Sequence, residues 1–306
     1  MTKRDARIEM IRQDKRKYFT ILGAVFFALI GMMMRMAQLQ FAFDEAGLPI
    51  RGSIRTYIMA AVCVAFLVVA FLVARTLEPR ETCYNSLFLS PTSLGFSLSG
   101  SIIIGVGGLI IMGETAGLRT DLSIEGTGFT LINSLPTFLG VCTAVSILVN
   151  LYRTTCSKRP LVLLYLIPFT YVVFLLITQF KQTWSADPVI LDYCFQLFAL
   201  ISCMCAIYHT GAYCFDRGKR RNTAFWCLIS FFFCAVSLVG IPASQAVIYG
   251  GLGLWMLSIA EPILSNQIPA YVHPYDYVPP VEAPGEEDEL EDEDTAPEDE
   301  TDSPEP

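Results

Sequence analysis

Long apolar runs broken by short polar stretches dominate the chain. Eight of them approach the ~20 residues that a helix rising about 1.5 Å per residue needs to cross a ~30 Å hydrocarbon core. They cover residues 18–38, 57–77, 94–113, 129–151, 161–180, 188–208, 223–241 and 246–264. Each is expected to be helical, because lipid offers no hydrogen bonds to free backbone groups. The last two are parted only around Pro242, yet together they are too long for one crossing, so they read as a hairpin. The pattern predicts an all-α, polytopic integral membrane protein with eight transmembrane helices.

The polar stretches give this bundle a direction. Lys and Arg accumulate on the cytoplasmic side of membrane proteins. With the N-terminus inside, the inner segments hold 16 of the 21 bases. Seven precede residue 18, and the others are Arg75, Arg80, Arg153, Lys158, Arg159, Arg217, Lys219, Arg220 and Arg221. The outer segments hold Arg51, Arg55, Arg119 and Lys181, and Arg35 sits near the outer end of the first span. The excess recurs at every inner loop, which supports the span count and puts both termini in the cytoplasm at a cell membrane. The first run lacks a cleavage site and follows a long charged leader, so it is expected to be a signal anchor rather than a removed signal peptide.

Composition agrees and adds a tail. Apolar residues make up 53% and charged residues 16%, against roughly 25% charged in soluble domains. That excludes an ordinary soluble enzyme and a nucleic-acid binder with a basic surface. Of 29 acidic residues, 15 lie between Asp276 and Glu305, where there is no base. Three regions result: a basic cytoplasmic leader (1–17), an eight-helix transmembrane bundle (18–264), and a Pro-rich acidic cytoplasmic tail (265–306). The leader is expected to meet anionic lipid. The tail cannot bury enough apolar surface to offset chain entropy and is expected to be disordered. Its charge suits a basic cytoplasmic protein. Its segment Tyr271–Val281 is either a docking element or a set of tyrosines against the headgroups.

Motif chemistry is sparse. His209 and His273 are the two histidines, too few for a bis-histidine haem in the membrane. H-E-x-x-H, G-x-S-x-G and Walker A sequences are absent, so a non-enzymatic role without cofactors is expected. The ten cysteines form no C-x-x-C pair and read as small apolar fillers. Cys205 and His209 share a helix face, but two ligands make no metal site. No carboxylate or amine lies near a span centre, which weakens ion-coupled transport.

Polar groups instead gather toward the outer face. Arg35, Glu114, Lys181, Asp192 and Gln196 form a candidate external polar site. Asp192, Gln196, Ala199, Cys203, Ala206 and Thr210 fall on one stripe of the sixth helix, which is expected to face other helices. Asp192 then needs a partner, with Arg35 or Lys181 suited to the role. The alternative is an ion pair that only locks helices together. Ser97, Ser101, Gly105 and Gly108 form a small-residue ridge expected to serve helix packing. Three functions fit: a transport-type bundle with a shallow external site, a sensor or scaffold recruiting a cytoplasmic partner through its tail, and a lipid-modifying enzyme without a visible motif.

Overall fold

The computed structural model describes residues 3–43, 50, 52–77, 81–82, 91–121, 131–152, 158–186, 190–215 and 217–264. The acidic tail and its aromatic segment lie outside the described residues. The fold is helical: α1 (Lys3–Phe41), α2 (Ile54–Arg75), α3 (Pro91–Asp121), α4 (Leu131–Tyr152), α5 (Lys158–Ala186), α6 (Ile190–Gly211), α7 (Arg220–Ser237) and α8 (Ala243–Leu264). A 3-10 turn (Ala212–Phe215) follows α6. A two-residue antiparallel pair joins β1 (Glu81–Thr82) to β2 (Gly218–Lys219), with Glu81 opposite Lys219. The leader does not form a separate element. From Lys3 onward it is helical and runs on into the first apolar run.

Among the described residues, six helices are long and apolar enough to cross a membrane, over Lys17–Phe41, Ile54–Arg75, Ser93–Ile111, Val162–Phe180, Tyr193–Phe215 and Ala243–Leu264. The chain is a multi-pass helical membrane protein. Two of the eight sequence runs fall short of that standard. The apolar stretch in α4 covers only Phe138–Asn150 among the described side chains. Helix α7 has 18 residues and opens on Arg220, Arg221 and Asn222. Twelve of those 18 are buried, so α7 is screened by protein and need not be apolar for the sake of lipid.

Helix α7 packs against α1, α2, α6 and α8, while α3 to α8 close a ring in which each helix touches the next and α3 returns to α8. Neighbours in that ring run antiparallel. Ser93 and Gly100 of α3 meet Ser258 and Gly251 of α8, and Gly140 and Ser146 of α4 meet Tyr171 and Leu164 of α5. Helices α1 and α2 lie outside the ring on α7. Phe66 of α2 stacks on Phe232 of α7 with centroids 4.3 Å apart, and Phe27 of α1 lies 5.7 Å from Phe66. The α7–α8 hairpin turns at Gly240, whose φ of 88° suits a residue without a Cβ.

The surface is apolar and much of the interior is hydroxylated. Phe19, Leu22, Phe26, Met33 and Met36 of α1 are exposed, as are Val64, Val68 and Leu72 of α2. Buried instead are Ser97, Ser101, Thr143, Ser146, Ser202, Thr210, Ser230 and Ser258. Such an inversion suits a protein whose solvent is lipid, where small hydroxylated residues line helix contacts. Ser101, Ser202, Thr210 and Ser258 return a hydrogen bond to their own helix: Ser101 donates to the Leu98 carbonyl at 2.8 Å and Thr210 to that of Ala206 at 2.7 Å.

Two serines do something different. Pro168 in α5 and Pro262 in α8 have no N–H, so the carbonyls four residues earlier, at Leu164 and Ser258, lose their helical donors. Ser146 of α4 donates to Leu164, and Ser93 of α3 donates to Ser258 at 2.7 Å. Each proline gap is filled from the neighbouring helix.

Candidate functional site

Polar side chains concentrate at two ends of the bundle. One end gathers the start of α1's apolar stretch, the end of α2, the start of α7 and the end of α8. Here Lys17 Nζ pairs with Glu261 Oε1, and both side chains are buried. A buried charge left without its partner is costly, on the order of 3–5 kcal/mol when one member of a pair is removed, so this pair fastens α1 to α8. The partner of Glu261 is thus the last base of the leader.

Two arginines at the start of α7 complete this end. Arg220 is 1% exposed, and its Nη2 donates to the Ile263 carbonyl at 2.9 Å. Arg221 Nε donates to the Leu77 carbonyl at 2.7 Å. The last carbonyls of a helix have no intrahelical donors and carry partial negative charge. Arg220 therefore caps α8 and Arg221 caps the chain just past α2. The β1–β2 pair adds a further tie between the α2–α3 connection and the start of α7.

The other end holds Arg35. It is 3% exposed, donates to Gln38 Oε1 at 2.9 Å, and lies with its guanidinium 5.0 Å from the Phe195 ring centroid of α6. Phe195 is one turn from Asp192, so Arg35 reaches the stretch of α6 that carries the proposed partner. Gln196 accepts a hydrogen bond from Gln179 of α5, a contact the sequence did not reveal. Ala199, Cys203, Ala206 and Thr210 of the α6 stripe are all fully buried. Glu114, Lys181 and Asp192 lie within α3, α5 and α6, and their side chains are outside the described residues. Helices α3 and α5 also run past Glu114 and Lys181, to Asp121 and Ala186, rather than ending on them.

The small-residue ridge of α3 faces its neighbours. Ser97 and Ser101 are buried, and Gly105 stands beside Ala144 of α4, where a Cβ would come within 3.2 Å. Gly108 is buried as well. The closest approach falls one residue off the ridge. A Cβ on Gly100 would stand 2.9 Å from the Trp255 nitrogen, and one on Gly251 would stand 2.9 Å from the Ile104 nitrogen. Backbone meets backbone there, which no larger residue permits.

Cysteine is also placed more pointedly than its composition suggests. Cys203 Sγ of α6 and Cys234 Sγ of α7 are 3.6 Å apart, and beside them Ser230 and Ser202 share a hydroxyl–hydroxyl hydrogen bond at 3.3 Å. These contacts form a polar seam between α6 and α7. Cys205 and His209 share α6, and no group of three metal-ligating side chains occurs among the described residues. No known family model, curated protein or solved structure matches the chain.

Proposed function

We propose that the chain is an eight-span membrane scaffold that recruits a basic cytoplasmic protein through its acidic tail. The observation that supports this reading is the fastening of the Lys17 end. One ion pair and two arginine caps tie together the segment where the basic leader enters the bundle and Leu264, the last described residue before the acidic tail. A built anchor under two oppositely charged extensions suits a protein whose output lies outside the bilayer. At the other end Arg35 is buried against Gln38 and Phe195, and Gln196 is bonded to Gln179. Those contacts support helix locking rather than an open external pocket.

The antiparallel packing supports eight crossings. Helix α7 begins level with Ile263 and Leu77 through its two arginines, and the turn after it reaches Leu39, which would lie 2.6 Å from a Cβ on Gly240. It thus runs the depth of its apolar neighbours. Helix α4 extends from the level of Tyr171 past that of Leu164 and continues to Tyr152. The charge bias orients the Lys17 end to the cytoplasm.

Removal of residues 282–306 tests the function. Insertion and unfolding temperature should stay unchanged, because the removed residues belong to none of the apolar runs. Cytoplasmic proteins captured by the full chain should be basic, should dissociate in high salt, and should be missing with the shortened chain. Identical capture by both forms would rule the recruitment reading out. Transport is the second reading, favoured by Ser97 Oγ and Thr143 Oγ1, which are buried inside α3 and α4 without a hydrogen-bond partner among the described residues.

A further inference from the structure

A cavity of about 320 Å³ opens between the first turns of α5 and the last turns of α6. Val162, Tyr165, Leu166 and Phe169 form one wall at helical spacing, and Ile207, Tyr208 and Phe215 form the other. Gly211 and Ala212 leave the floor low. The α5 wall spans eight residues, or about 10 Å of rise. Tyr208 and Phe215 are 69% and 58% exposed, so the groove opens outward into the lipid.

Its mouth is basic. The segment after α6 carries Arg217, Lys219, Arg220 and Arg221, with Asp216 before them. Arg220 and Arg221 are consumed by the carbonyls of Ile263 and Leu77. Arg217 and Lys219 stay exposed. Both are at the groove: the Arg217 N–H bonds the carbonyl of Ala212, a floor residue, at 3.2 Å. Lys219 lies in β2, which packs against the 3-10 turn and α6. Helix α5 begins with Lys158 and Arg159, one turn before Val162.

We propose that this groove binds an anionic phospholipid, with part of one acyl chain along the α5–α6 wall and the phosphate at Arg217 and Lys219. The shape and the charge make separate demands. An acyl chain alone would need only the aromatic walls, and a phosphate alone would need no groove. A base near anionic lipid is worth on the order of 1 kcal/mol, so two give roughly a 30-fold preference over a zwitterionic lipid.

Native mass spectrometry of the full-length protein, titrated with phosphatidylglycerol and phosphatidylcholine of equal chain length, tests this. The wild type should retain one phosphatidylglycerol roughly 30-fold more tightly. Arg217→Gln with Lys219→Gln should bring the two lipids level while phosphatidylcholine retention is kept. Gly211→Leu should weaken both lipids. A Cβ there meets no atom within 4 Å, so the new side chain enters the groove without disturbing the fold. Should Gly211→Leu misfold, Ala212→Leu serves the same purpose, with helicity by circular dichroism as the check. The proposal is overturned if the wild type holds both lipids equally, or if the preference survives the double substitution and so belongs to the basic leader. It is overturned equally if a folded groove-filling variant binds both lipids as the wild type does.

Discussion

At the scale of single residues, the charges that matter are those withdrawn from solvent. Lys17, Glu261, Arg220 and Arg35 are all under one-tenth exposed. Surface ion pairs contribute little, but a buried pair that loses one member leaves a charge without compensation. Glu261→Gln should therefore lower bundle stability by about 3 kcal/mol, read from chemical unfolding in detergent micelles. Combining it with Lys17→Met should cost clearly less than the two single losses added together. Additive losses would mean that the two side chains do not depend on each other. The sequence showed a basic leader and, in the last apolar run, an acid at Glu261. It did not join them, because the two lie at opposite ends of the bundle's sequence and spacing rules reach only a few residues along one helix.

At the scale of elements, proline shows what a helix in lipid requires. Water can satisfy a carbonyl freed by proline in a soluble helix; in a bilayer a neighbour must do so. Ser146 meets this need for α5 and Ser93 for α8. Ser146→Ala should destabilise the wild type by about 1–2 kcal/mol, measured by the same unfolding titration. The same change should be nearly silent in a Pro168→Ala background, where the backbone N–H gained at position 168 would bond the Leu164 carbonyl itself. Equal losses in both backgrounds would show that the serine acts through packing. Pro168 was visible in the sequence, inside the apolar run 161–180. Its donor was not, since nothing local marks one buried serine among many. Helices α1, α3 and α5 also run beyond their apolar stretches, as α1 does from Lys3, because a helix can continue wherever its polar end leaves the hydrocarbon.

At the scale of the whole molecule, hydropathy found every helix, because 3.6-residue coils crossing lipid leave long apolar runs. It could not distinguish a lipid-facing helix from α7, whose surroundings are other helices. Cysteine accessibility separates eight crossings from six. Single cysteines in a background lacking the native ones should react from outside near Arg119 and Trp184, and near Lys158 and Lys219 only after permeabilisation. Outside labelling at Lys219 would break the eight-span arrangement. The closure of α3 onto α8 also bears on how the protein is made. Gly100 and Gly251 meet across about 150 residues, which a ribosome adding about 5–20 residues per second takes roughly 8–30 s to deliver. Through that interval α3 sits in the membrane with one side of its packing face unmatched, and α1 and α2 await α7, the helix on which both of them rest. Nascent chains are thus incomplete on two fronts until the final hairpin arrives, and a premature stop before residue 220 would leave an assembly with no partner for either face, a natural substrate for membrane quality control.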